Sequence, residues 1–226
     1  MTTSRTPAAA MSSSFFAGLD QSATDALLAV AKSRQIPAKH EIVIGGRRAT
    51  HLFLIQSGQV TYSHVTERGE SVLLAWLVPG DVIGLMTMLK NPPAYMATAE
   101  ANGTCELLTW NHSVIRNLVS RFPVLAENGL RIALGYLRNY GERHIGLVTK
   151  TAEERLAETL LKLSDRSGEV HPNGIEIHAT NDQLGALADI SSFTASRVLS
   201  SWMREGILSK QRGRVLLHAP EALMIG

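Results

Sequence analysis

The chain has 226 residues, 45% hydrophobic and 19% charged, with a formal net charge of +2. That length suits one or two domains, and so small a charge says little about partners. A single cysteine, Cys105, excludes a disulfide framework and a cluster of thiolate metal ligands, and no run of about eighteen apolar residues is present to span a membrane.

The opening stretch MTTSRTPAAAMSSS has no long apolar region, so a signal peptide is not expected. Residues 1–14 read as a flexible tail in which Met11 is an alternative start, and the expected compartment is the cytoplasm. From Phe15 to Arg34 the chain reads as a helical lead-in, with Phe16, Leu19, Leu27, Leu28 and Val30 as apolar positions. The next hundred residues change character. Runs such as Ile36–Ile44, His51–Ile55, Val60–Tyr62 and Ser71–Val78 are rich in strand formers. They are punctuated by Gly45-Gly46, Gly58, Gly69 and Pro79-Gly80. Short strands at this spacing predict an antiparallel barrel or jelly roll. Leu85, Met86, Met88, Leu89, Tyr95 and Met96 then form a soft apolar stretch. They read as the wall of an effector pocket or, more plainly, as core packing.

After Asn111 two helices are predicted. The first spans about His112 to Arg121. The second is long and has Pro123 in its first turn, a favoured place for proline. Along it Leu130, Leu134, Leu137, Gly141, His144 and Val148 recur at alternating steps of four and three. This heptad-like seam is the pattern of two helices packed side by side, within one chain or between two. His144 alone among the eight histidines falls on that seam, and none of them shows a metal-ligand spacing, so no metal site is expected. A hinge is expected near Val148–Ala152. Glu153 to Leu163 follows as an amphipathic helix with Leu156, Leu160, Leu161 and Leu163 inward. His171-Pro172-Asn173-Gly174 reads as a turn between short strands.

The stretch from Thr180 to Leu208 reads as two helices about a tight turn. The first covers Asp182 to Ala188, with Leu184, Leu187 and Ala188 on one face. Asp189 sits where a left-handed backbone is wanted. Ser191 is a good N-cap for the second helix, and Gly206 ends it. Ala195, Val198, Leu199 and Trp202 share its inward face. Ser192, Phe193, Ser196, Arg197 and Ser200 are left outside. Small residues let a helix enter a groove, and an arginine fork matches guanine O6 and N7. A helical hairpin buried in a core is the plainer alternative. Beyond it, apolar runs flank Gly213, with Lys210, Arg212 and Arg214 at the hairpin tip. From Ser192 to His218 there are five Lys and Arg (Arg197, Arg204, Lys210, Arg212, Arg214) against one acid, Glu205. Over 151–226 there are eight bases against ten acids, so the positive charge is placed rather than spread. No phosphate loop, nucleophile elbow or zinc signature occurs, and an enzyme is not expected.

The pattern T-x-x-x-L-x-x-L-A-x-I-S-x-x-T-x-S-R-x-L, followed by R-E-G-I-L and a basic wing, resembles the helix-turn-helix of the CRP/FNR family of bacterial transcription regulators. "LFLIQSGQV" and "LVPGDVIG" resemble strand and turn signatures of that family's sensor domain. The likeness runs from about residue 15 to 223. It implies an α+β chain: a jelly-roll-like, antiparallel β-roll of the cyclic-nucleotide-binding type over 15–121, a dimerisation helix over 122–150, and a winged helix-turn-helix over 151–226. It further implies double-stranded DNA, a second copy and RNA polymerase as partners. Arg197 and Ser196 match family DNA-reading positions, but Phe193 stands where a glutamate often reads cytosine. Leu85 replaces the ribose-binding glutamate, and Tyr95 and Met96 replace the Arg-Ser pair for a cyclic phosphate. Tight cAMP or cGMP binding is therefore not expected, since a buried phosphate needs a cationic partner. An iron–sulfur cluster needs more thiolates than one. Haem or another apolar effector stays open. So does a sensing module whose helix-turn-helix meets protein rather than DNA.

Overall fold

The computed structural model describes residues 12–224, so most of the expected tail lies outside the described residues. The chain divides into two compact units, residues 1–138 and 139–226.

In the first unit Ser13, assigned to the tail from sequence, is packed, while Ser14 beside it is exposed. The Ser13 hydroxyl donates to the Gly80 carbonyl at 2.6 Å and accepts from the Phe15 amide, and Phe15 is fully buried. Helix α1, Gln21–Val30, is capped by Asp20, whose carboxylate accepts from Ala23 N at 2.7 Å. The helical lead-in expected through Arg34 is corrected here. Lys32–Ile36 is strand β1, paired antiparallel with Cys105–Thr109. Cross-strand pairing, which local sequence does not encode, overrides the helical pattern.

Five more strands follow: β2 Glu41–Val43, β3 His51–Val65, β4 Ser71–Leu77, β5 Val82–Ile83 and β6 Thr98–Asn111. The sheet order is β1-β6-β3-β4, with β2 on β6 and β5 on β3, and every pair is antiparallel. Strand β3 runs through the Ser57-Gly58 pair, where its register with β6 shifts. Gly58 has φ 84°, and a Cβ there would lie 2.5 Å from the Thr104 carbonyl oxygen, so only glycine fits this bulge. The Pro79-Gly80-Asp81 turn is closed by Asp81 Oδ2, which accepts from Val78 N at 2.9 Å. One buried cluster gathers Phe15, Leu27, Leu52, Leu54, Trp110 and Ile115; a second gathers Phe53, Ile55, Val60, Tyr95 and Leu107.

Helix α2 spans His112–Arg121 and α3 spans Val124–Thr149. The unit boundary falls inside α3, between Arg138 and Asn139, whereas the sequence suggested breaks near 121 and 150. The first half of α3 packs on the β unit: Leu125 is buried, and Asn128 Nδ2 donates to the Phe15 and Ala17 carbonyls.

The second unit continues with α4, Ala152–Ser167, started by a capping box between Thr151 and Glu154. The amide hydrogen bond from Thr151 holds the Glu154 carboxyl below its ordinary pKa. Leu156, Ala157, Leu160 and Leu163 are buried, while Leu161 is only half-buried because it points off the packed stripe. Strands β7 Glu169–His171 and β8 Gly174–Ile177 join β9 Leu208–Gln211 and β10 Arg214–Leu217 in a sheet ordered β7-β8-β10-β9. Between β8 and β9 lie α5, Asn181–Leu187, and α6, Ser192–Arg204.

A candidate nucleic-acid interface

Helices α5 and α6 form the turn motif that the sequence predicts, with α5 shifted one residue earlier by its Thr180–Gln183 capping box. Gly185 is the residue that sequence reasoning missed. A Cβ there would stand 2.9 Å from the Ile190 carbonyl oxygen and 3.2 Å from Ser192 N. Glycine lets the start of α6 press on α5. Asp189 has φ 53°, as its place in the turn requires. The Ser191 hydroxyl accepts from Thr194 N at 3.0 Å and caps α6. The helix closes with Gly206 at φ 75° and a bond from Ile207 N to the Trp202 carbonyl at 3.0 Å.

Burial splits α6 cleanly. Ala195, Val198, Leu199 and Trp202 are buried. Ser192, Phe193, Arg197 and Ser200 are exposed, Phe193 to 78%, and Ser196 is half-buried beside them. Most of the Phe193 ring faces solvent on a well-capped helix. The hairpin β9–β10 turns at Gly213, φ 74°. Its three cations are not equivalent. Arg212 is exposed. Lys210 is half-buried, and that burial lowers its pKa. Arg214 Nη1 donates to Glu176 Oε1 at 3.2 Å, an acid on β8 that also lies 2.9 Å from His178 Nε2. His218 ties the wing down, with Nδ1 2.8 Å from the Asn173 carbonyl and Nε2 3.0 Å from Ser209 Oγ.

Glu169, Glu176 and His178 bring ligand atoms within 4.8 Å of one another, a grouping invisible to linear spacing because β7 and β8 pair across the sheet. The Arg214 guanidinium already supplies positive charge to that group.

In the first unit Leu85, Met86, Tyr95 and Met96, four of the six residues read as an effector wall, do not form one set. Leu85 packs against the cluster of Leu52 and Trp110, and Met86 against the cluster that contains Tyr95. Tyr95 is buried, and its hydroxyl accepts from the Thr50 and His51 amides and donates to the His51 carbonyl at 3.0 Å. Met96 is 62% exposed. None of these four side chains carries a positive charge. Cys105 is buried and its thiol donates to the Gln59 carbonyl at 3.0 Å; burial pushes its pKa up.

Along α3 the seam residues Leu130, Leu134, Leu137, Gly141, His144 and Val148 are all exposed. Ile145 and Leu147 join the exposed apolar set, having escaped notice as neighbours of the regular steps.

A β-roll followed by a helix-turn-helix with a wing defines a transcription regulator with a DNA-binding domain. Residues 33–122 match the family model of the cyclic nucleotide-binding domain, and residues 154–224 that of the Crp-like helix-turn-helix domain. The fumarate and nitrate reduction regulatory protein of Vibrio cholerae is 25% identical over 183 residues, covering 80% of this chain and 72% of that relative. The cAMP-activated global transcriptional regulator CRP of Salmonella typhimurium is 24% identical over 183 residues, covering 80% and 87%. In fold, FixK2 from Bradyrhizobium japonicum superposes with a TM-score of 0.75 at 23% identity, covering 86% of this chain and 96% of that one. The chain belongs to the CRP/FNR family of transcription regulators. None of its described helices is long and apolar enough to cross a membrane.

Proposed function

We propose that the chain is a homodimeric, sequence-specific regulator that places two copies of α6 in successive major grooves. It acts by binding rather than by catalysis, in the cytoplasm, with RNA polymerase as its further partner. In this reading residues 15–121 sense, 122–150 dimerise and 151–226 bind DNA. The observation that carries it is the divided α6: a fully buried inner face beneath an outer face of Ser192, Phe193, Ser196 and Arg197. Side chains near the start of such a helix reach base edges when it lies in the groove. Arg197 grips a guanine, and Lys210, Arg212 and Arg214 approach phosphates. The exposed apolar row on α3 is the surface that a second copy covers.

Dimerisation matters because a two-fold protein reads two half-sites about one helical turn apart. A sensor acts on such a dimer only by favouring one arrangement of its recognition helices. Cyclic AMP is not that effector here, because Leu85, Tyr95 and Met96 leave its phosphate and ribose without partners. Selection of bound fragments from genomic DNA by the purified chain, with its mass measured by sedimentation, tests the reading. A recurring two-fold motif bound by a dimer is expected. A monomer without preference among duplexes overturns it.

A further inference from the structure

Among the described residues only Lys39 and Asp189 hold a positive φ without being glycine. At a position that wants a left-handed backbone, glycine is the residue of least strain. The Asp189 side chain therefore has a use that glycine cannot serve. Its two carboxylate oxygens accept from Arg143, Oδ2 from Nε and Oδ1 from Nη2, each at 2.5 Å. The same Nη2 donates to the Ala186 carbonyl at 2.9 Å. Both side chains are about three-quarters buried, at 23% and 26% exposure. Planar fork-on-fork pairing of this kind fixes direction as well as distance.

A second arginine closes on the same turn. Arg155 of α4 donates from Nε to the Ala188 carbonyl at 2.9 Å and from Nη2 to the Asp189 carbonyl at 3.3 Å. Its Nη1 holds the Lys150 carbonyl at 2.7 Å, in the link between α3 and α4. The carbonyls at the end of a helix such as α5 have no intrahelical partner. Here two guanidiniums take them, one from each flanking helix. Arg143 itself lies on α3 between Gly141 and His144 of the seam, and Asp189 is two residues ahead of Ser191, the cap of α6.

We propose that Arg143 is a positioning residue for DNA readout. Its fork on Asp189, backed by Arg155, sets the distance and angle of α6 from the α3 seam, and with them the half-site spacing that the dimer accepts. This rests on the dimeric DNA-binding reading above. The helix-turn-helix does not need the pair to close, since Gly185, Ser191 and the buried face of α6 already hold it. What the pair adds is a fixed offset between the turn and the helix that carries the two-fold axis.

The test uses the full chain and duplexes bearing its selected motif. In one series the half-sites stand at the selected spacing or one base pair closer or further apart; in another a single half-site is present. Wild type is expected to prefer one spacing by about tenfold. Asp189→Gly keeps the left-handed backbone and removes the carboxylate. Arg143→Lys keeps the charge and removes the fork. Both are expected to flatten the preference to within about threefold, with half-site affinity, dimer mass and helicity unchanged. A preference as sharp as wild type in both variants overturns the proposal. So does an equal loss on half-site and full site, which marks the pair as support for the motif alone. A wild type that selects no motif refutes the DNA-binding reading itself, before any variant is compared.

Discussion

Arg197 stands four residues beyond Phe193 on the outer face of α6, so the two side chains emerge from adjacent turns, both exposed. Four residues advance a helix by about 6 Å, close to two base-pair steps of about 3.4 Å, so side chains so placed would meet different base pairs. One is a cationic fork and the other an apolar ring. On the DNA-binding reading proposed above, the fork would take O6 and N7 of a guanine and the ring would lie on the C5 methyl of a thymine.

Arg197→Ala is expected to weaken binding to the selected motif by about 1–3 kcal/mol and to relax preference at one base pair per half-site. Titration of the variant against the motif and against random duplex measures both. Equal loss on the two would mean that Arg197 contacts only phosphate.

Phe193→Glu exchanges an apolar surface for an acceptor. The preferred pair at that position is expected to change from one that presents a thymine methyl to one that presents a cytosine amino group, a discrimination of about 1–3 kcal/mol. Because Phe193 is 78% exposed, folding should be unaffected, and repeated selection on the variant reads the change directly. An unaltered motif would place the ring outside the groove.

How far all this was legible from sequence depended on the range of the interaction. Ser191 as a cap, Asp189 as a left-handed turn and the buried set Ala195, Val198, Leu199, Trp202 are local patterns, and the structure has each. The start of β1 was hidden because Lys32–Ile36 becomes a strand through its pairing with residues some seventy positions away. Gly185 carries no signal in the sequence, and only the close approach of the Ile190 carbonyl gives it a purpose. Glu176 beside Arg214, and Arg143 on Asp189, join charges that no spacing rule connects. Pairing across a sheet or between helices leaves no period in the chain.

That pairing of Arg214 bears on the wing. Arg212→Ala is expected to weaken binding evenly across sequences and to reduce the salt slope by about 1, as loss of a phosphate contact does. Arg214→Ala should reduce the slope by less, because Glu176 already takes part of that charge. Affinity measured across a salt series separates them, and equal slopes for the two variants would contradict the difference.

Calorimetric titration with cAMP is expected to give no binding at micromolar concentration. Tyr95→Arg alone should not create it, since the Tyr95 hydroxyl now ties the Thr50 and His51 amides and Leu85 offers the ribose only an apolar side chain packed against the core. The variant should instead melt earlier, by about 1–3 kcal/mol of stability for the amides left unpaired. Micromolar affinity in the wild type would overturn the reading of these positions.

The seam gives the sharpest division between a packing face and a dimer. Leu134 and Leu137 are 54% and 66% exposed within the chain. Their replacement by glutamate therefore should cost the protomer little, about 0.5 kcal/mol or less. In a dimer the same change buries two like charges opposite each other in an apolar seam, a penalty of several kcal/mol. Leu134→Glu is thus expected to yield a folded monomer. Its affinity for a single half-site should be that of the wild-type protomer, while affinity for the paired site falls by about a hundredfold or more as the linked second contact disappears. A variant that stays dimeric would place the two-fold axis on another surface, and the apolar row on α3 would then need a different partner.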